Sequence, residues 1–245
     1  MGWRDATVAR VGPMESHLLE MGEMACVKHV LAAGFDSAPL YAGLPSGMCP
    51  CEHWCYLARG RLRYRFADGG EATFEAGEAF HLRAGHLADV LEDAELIELT
   101  RLEEYREKRE HLAARVVEDA RSGEQVVFRR VAAETGGELL EMDDFWAAPD
   151  HRTHPHVHPG MEERWHVVAG EVCFRIGGRE EVVGPGGVAI APPGVRHEAW
   201  NVGDGPVQLR IEMRPALRWQ EFVERLFAGE EPAGLLAEFE REVAP

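Results

Sequence analysis

The sequence predicts an all-β chain of two similar halves, each a small sandwich or barrel. Three observations carry this: an internal repeat, glycine-rich hairpin turns, and short strands at regular spacing. The first copy runs from His53 to His86 (HWCYLARGRLRYRFADGGEATFEAGEAFHLRAGH). The second runs from Glu163 to His197 (ERWHVVAGEVCFRIGGREEVVGPGGVAIAPPGVRH). Gly60 aligns with Gly170, and Gly77 with Gly186. Each copy reads strand, Gly, strand, tight turn, strand, Gly, strand. The turns are Asp68-Gly69-Gly70 and Gly177-Gly178, flanked by the alternation expected of a hairpin. Asp93–Tyr105 resembles Gly205–Trp219, and both read as a last strand running into a helix.

Helices are few. Glu103–Asp119, with Tyr105, Leu112 and Val116 at helical spacing, predicts a linker helix. Trp219–Phe227 and Leu235–Val243 predict a C-terminal pair broken near Pro232, packing across a barrel or against a dimer partner. A boundary near Arg121-Ser122-Gly123 gives domains at 1–115 and 122–245.

Lys and Arg number 26 against 43 Asp and Glu, a net charge of −17. That field repels a polyanion, so a nucleic-acid partner is not expected. No apolar run is long enough for a bilayer, and MGWRDATVAR has no signal-peptide core, so the expected location is the cytoplasm without membrane attachment. The five cysteines, Cys26, Cys49, Cys51, Cys55 and Cys173, do not read as a disulfide framework, and Cys173 reads as core.

The chemistry concentrates after residue 155. His156 and His158 are two apart, so on a strand they share a face. Glu163 follows, then Gly170, and further on Gly186, Pro192, Gly194, His197 and Asn201. The spacing HxH, four residues, E, six residues, G, then G, five residues, PxG, two residues, H, three residues, N resembles the two signature motifs of the cupin superfamily. One departure is Asp150, where the first motif usually opens with Gly. The resemblance implies two jelly-roll (double-stranded β-helix) barrels, a bicupin. It also implies that His156, His158, Glu163 and His197 converge on one divalent transition metal: Fe, Mn, Ni, Cu or Zn. Imidazoles plus one carboxylate suit such ions, and four ligands leave coordination positions open. Strand parity places Trp165 near the pocket and His166 outside it, while His151 and His154 read as solvent-facing.

The first half aligns less well. Ser46 and Met48 fall at the paired-His positions, His53 at Glu163 and Ala88 at His197, so the ligand set is not reproduced. MCPCEHWC nevertheless places Cys49, Cys51 and His53 on one strand face, and His86 and His81 lie beyond. Cys49, Cys51, His53 and His86 are candidates for a second site, with Zn suited to thiolates and imidazoles. The alternative is ordinary buried Cys and His in a barrel that keeps no metal.

The cupin resemblance implies a metal-dependent enzyme, dioxygenase-like, acting on a small organic molecule, with Glu163 as fourth ligand or general base. A metal-dependent isomerase or hydrolase and a non-catalytic small-molecule binder are the other readings. The apolar C-terminal helices make a homodimer a further expectation.

Overall fold

The glycines that punctuate the repeat mark where the sheets bend. The computed structural model describes residues 2–41, 44, 46–113 and 115–245. The chain divides into two units, Met1–Arg115 and Val116–Pro245.

The first unit contains β1 (Thr7–Val11), β2 (Met14–Met21), β3 (Met24–Leu31), α1 (Ala38–Tyr41), β4 (His53–Phe66), β5 (Glu71–Glu75), β6 (Ala79–Leu82), β7 (His86–Arg101) and α2 (Leu102–Ala113). The second contains β8 (Val116–Asp119), β9 (Glu124–Arg130), β10 (Leu140–Trp146), β11 (Glu162–Ala169), β12 (Val172–Ile176), β13 (Arg179–Val183), β14 (Val188–Ala191), β15 (His197–Asn201) and β16 (Val207–Arg214). It closes with α3 (Trp219–Phe227) and α4 (Pro232–Glu238).

The repeat is complete at the level of strand pairing. The first unit follows the path β1-β2-β3-β7-β4, and the second follows β8-β9-β10-β16-β11. β5 and β6 both pair with β4, as β13 pairs with β12 and β14 with β11. The long strand β4 of the first unit corresponds to β11 and β12 of the second, which are separated at Gly170. At Gly60 a Cβ would lie 2.3 Å from the Asp93 carbonyl oxygen, and at Gly170 2.8 Å from that of Pro206. Both have positive φ, 86° and 83°. Only glycine fits a left-handed backbone pressed against a neighbouring strand. The register between β4 and β7 shifts around Gly60, which turns one long ladder into two faces of a sandwich.

Three sequence expectations are corrected. The linker helix is α2, and it ends at Ala113. Val116 and Val117 are β-branched and pair with β9 as strand β8 instead. Arg121-Ser122-Gly123 is therefore the β8–β9 hairpin turn, with Gly123 at φ 71°, and the second unit begins at Val116 rather than 122. The C-terminal pair is broken just before Pro232 as expected, but its second helix runs Pro232–Glu238 rather than Leu235–Val243, with Pro232 opening it as suits a residue with no N–H to leave unpaired.

In the second unit Trp165, Phe174, Leu209, Ile211, Phe128 and Trp146 fill the space between the sheets. In α3, Trp219, Phe222 and Val223 form one apolar stripe that joins this core together with Leu235, Phe239 and Val243. Each such side chain stabilises the fold by roughly 1.5–3 kcal/mol. The C-terminal helices thus cover their own barrel. No helix among the described residues is long and apolar enough to cross a membrane.

Candidate metal centre

His156 and His158 lie on the extended segment before β11, where His156 forms a β-bridge with His197. Glu163 is on β11 and His197 opens β15. Their ligand atoms all lie within 4.8 Å of one another. His158 and His197 are almost wholly buried and Glu163 nearly so.

The hydrogen bonds around the rings fix their tautomers. Nδ1 of His156 donates to the His154 carbonyl (2.7 Å), that of His158 to the Glu242 carbonyl (2.5 Å), and that of His197 to the Val195 carbonyl (2.8 Å). A neutral imidazole has a single N–H, so each Nε2 presents a bare lone pair. These lone pairs face one another. Nε2 of His156 is 3.1 Å from Nε2 of His158 and 3.1 Å from Nε2 of His197. Glu163 Oε2 is 3.0 Å from both His158 and His197 and 3.9 Å from His156. Four acceptors aimed at one point without a donor are mutually repulsive, and a single cation satisfies them all. The short edges match ligands set at right angles around an ion about 2.1 Å away, about 3.0 Å apart. That arrangement leaves positions free for a further ligand. The residues present therefore fit a divalent transition metal.

The electrostatics agree. Burial pushes His156 down to about 4, so it stays neutral. Burial opposes ionisation of Glu163, but the close approach of His158 and His197, each able to take a proton on Nε2 when no ion is bound, outweighs that and holds the carboxyl well below its usual range. His197 is raised: burial acts against the charge, and Glu163 more than compensates.

Aromatic rings wall the site. Trp165 packs edge-on to His197 with centroids 5.4 Å apart, in the place expected from strand parity, while His166 points away toward Glu212. Trp219 stands edge-on to His158 at 4.6 Å, and its indole nitrogen is buried without a hydrogen-bond partner. Trp219 and the Glu242 carbonyl escaped the sequence reading, since nothing local ties the C-terminal helices to the HxH segment. His151 is corrected from solvent-facing to half-buried, with its side chain turned inward. It stacks on Trp146 at 4.6 Å, with its Nε2 3.4 Å from Glu124. Asp144 completes this group by accepting from the Trp146 indole at 2.8 Å. Burial raises Glu124 to about 7 and Asp144 well above its usual value. An acid at position 144, on the strand face that carries Leu140, Met142 and Trp146, was the available signal.

In the first unit the structure brings together Cys49, His53 and His86, with ligand atoms within 4.8 Å of one another. Cys51 is buried beside Cys49, and its thiol donates to the Glu104 carbonyl at 3.5 Å. The alignment of Ser46, Met48 and Ala88 with the ligands is wrong. The bridge Cys49–His86 repeats the bridge His156–His197, and His53 faces Leu82 as Glu163 faces Ala191. Cys49, Cys51, His53 and His86 thus take the places of His156, His158, Glu163 and His197. His81 lies apart, exposed and paired with Glu52. All five cysteines are free, and Cys173 is buried as expected.

Residues 147–212 match the family profile described as Cupin domain. No curated protein matches the chain. Among similar solved structures is the formate complex of oxalate decarboxylase from Lactobacillus farciminis, at 12% identity over 97% of this chain and 92% of that one, TM-score 0.37. Another is a deletion mutant of Bacillus subtilis oxalate decarboxylase, at 13% identity over 98% and 83%, TM-score 0.34. A recombinant oxalate oxidase in complex with glycolate is 25% identical over 39% of this chain, TM-score 0.34, and the match spans 52% of its length. The second half of the chain carries a cupin domain, and the first half repeats its strand plan with different side chains at the ligand positions.

Proposed function

We propose that the second unit is a metal-dependent enzyme that oxidises a small organic molecule with dioxygen, both oxygen atoms entering the product. The carrying observation is the convergence of three Nε2 lone pairs and one carboxylate oxygen at spacings that leave coordination positions free. When bound, a redox-active metal would supply the electron transfer that dioxygen chemistry needs. The chain's own residues do the rest. Carbonyls 154, 195 and 242 hold the rings in one tautomer, as outer-shell partners of metal ligands commonly do. Trp165 and Trp219 exclude water from one side of the site. The unpaired Trp219 indole N–H is a donor for an oxygen of the bound molecule.

The test is oxygen consumption by protein reconstituted with Fe, Mn or Cu, against small organic acids and phenols. Uptake lost in His158→Ala supports the reading. Turnover of the same compounds that persists without oxygen in the Zn or Ni form would replace it with an isomerase or hydrolase.

A further inference from the structure

We propose that the first unit holds a metal ion of its own on Cys49, His53 and His86, in a thiolate site chemically distinct from the His and Glu centre of the second unit.

The argument begins with position. The strand register places these three side chains where the second unit has His156, Glu163 and His197. The backbone plan that converges four ligand atoms in one unit converges three in the other. Between Cys51 and His53 the chain is shorter than between His158 and Glu163, which brings the pair closer along the strand without moving their places on the sheet.

Donor chemistry comes next. His86 Nδ1 donates to the Arg83 carbonyl at 2.7 Å, so its Nε2 is a bare acceptor. His53 Nε2 lies 3.3 Å from Cys49 Sγ. On its other side, Nδ1 faces the Glu98 carboxylate at 3.7 Å, which favours the tautomer with its proton there. A carboxylate stands behind the ring where a ligating imidazole commonly has its outer-shell partner, at a distance longer than a hydrogen bond, and the far nitrogen is aimed at a sulfur. Glu98 is itself held by His29 at 3.1 Å and Lys108 at 3.7 Å. Lys108 brings a cation into this shell, and Glu98 pairs with it. Cys51 bonds the Glu104 carbonyl and falls outside the converging set, so it supports Cys49 rather than replacing a ligand.

Burial separates this from a reactive cysteine. Cys49 and His53 are each 1% exposed and His86 is 4% exposed. A nucleophilic or redox-sensing thiol has to be reached from solvent, whereas a ligand does not. One thiolate with two imidazoles favours borderline or soft ions, Zn(II) first, over the harder ions that a carboxylate-bearing site accepts.

The test is cobalt(II) titration of a His158→Ala/Glu163→Ala variant, from which the second-unit centre has been removed. One equivalent bound with a near-ultraviolet sulfur-to-cobalt charge-transfer band supports the proposal. That band should disappear in the added Cys49→Ser change, persist in Cys173→Ser, and be displaced by one equivalent of zinc. Absence of the band in the parent variant, or its survival in Cys49→Ser, overturns it. If Cys49→Ser does not fold, His86→Gln serves instead: loss of the bound equivalent supports the site, and an unchanged equivalent and band overturn it. The outcome does not depend on any activity of the second unit.

Discussion

His158 donates its Nδ1 proton to the main-chain carbonyl of Glu242, 84 residues further along the chain. The neighbouring backbone pairs of Val157 with Ala244 lock the two segments together. No side-chain substitution at 242 removes this bond, but shortening the chain does. Truncation after residue 240 should lower metal affinity about 10–100-fold, the usual cost of losing an outer-shell partner. Chelator competition measures it. Affinity equal to that of the full chain would show that the carbonyl is dispensable.

Metal binding should release protons, and the source is specific. His156, pushed down to about 4, is already neutral at pH 7, whereas Glu163 raises His197, so any proton an ion displaces as pH falls comes first from His197. Release should therefore grow, and affinity fall, as pH drops from 8 toward 6. In the metal-free protein the two groups act oppositely on stability. The lowered His156 makes stability fall as pH drops through about 6.5 toward 4. The raised His197 contributes stability below its unfolded value that is lost as pH rises through its folded value. Calorimetry in buffers of different ionisation enthalpy reads the proton count, and a release that does not grow between pH 8 and pH 6 would contradict the assignment.

Glu124 and Asp144 predict a second pH effect of known sign. Both are raised by burial, Glu124 to about 7, so folding requires them to keep protons that the unfolded chain gives up near 4.5 for Glu124 and 3.8 for Asp144. Stability should fall as pH rises between these values. Glu124→Gln/Asp144→Asn leaves an acceptor for Trp146 and removes the ionisation. Relative to wild type the variant should gain on the order of 2 kcal/mol between pH 4.5 and 8. Urea unfolding at both pH values would show parallel shifts if the pair were not responsible.

Two glycines of the repeat should respond differently to alanine. At Gly60 the new Cβ meets the backbone of Asp93 and Ala94, so the cost should exceed about 3 kcal/mol. At Gly77 nothing lies within 4 Å, and only its positive φ of 94° resists, at a cost of about 1–2 kcal/mol. Thermal unfolding of both variants decides it, and equal losses would remove the special role of the Gly60 bend.

The sequence revealed much of this centre because its information is local. His156, His158 and Glu163 sit on one short stretch, and Pro192, Gly194 and His197 mark the second strand at fixed spacing. The first unit was misaligned because its loop is shorter. Matching residues by number placed Ser46 and Met48 where strand register places Cys49 and Cys51. The N-terminal strands β1–β3 lie outside the repeated motif, and Gly12 and Gly22, at φ 50° and 66° in the two turns between them, were the signal passed over. Trp219, Glu124 and Asp144 belong to tertiary packing, which no short window records.

The tie between His158 and residue 242 also fixes an order of events during synthesis. Ribosomes add about 5–20 residues per second. The 84 residues that separate the two partners therefore emerge about 4–17 s after the histidine itself. For that interval the ligands exist without the carbonyl that orients one of them. Tight metal capture is accordingly a late step, after the last barrel strand has formed, and the nascent chain is spared from committing early to whichever ion it meets first.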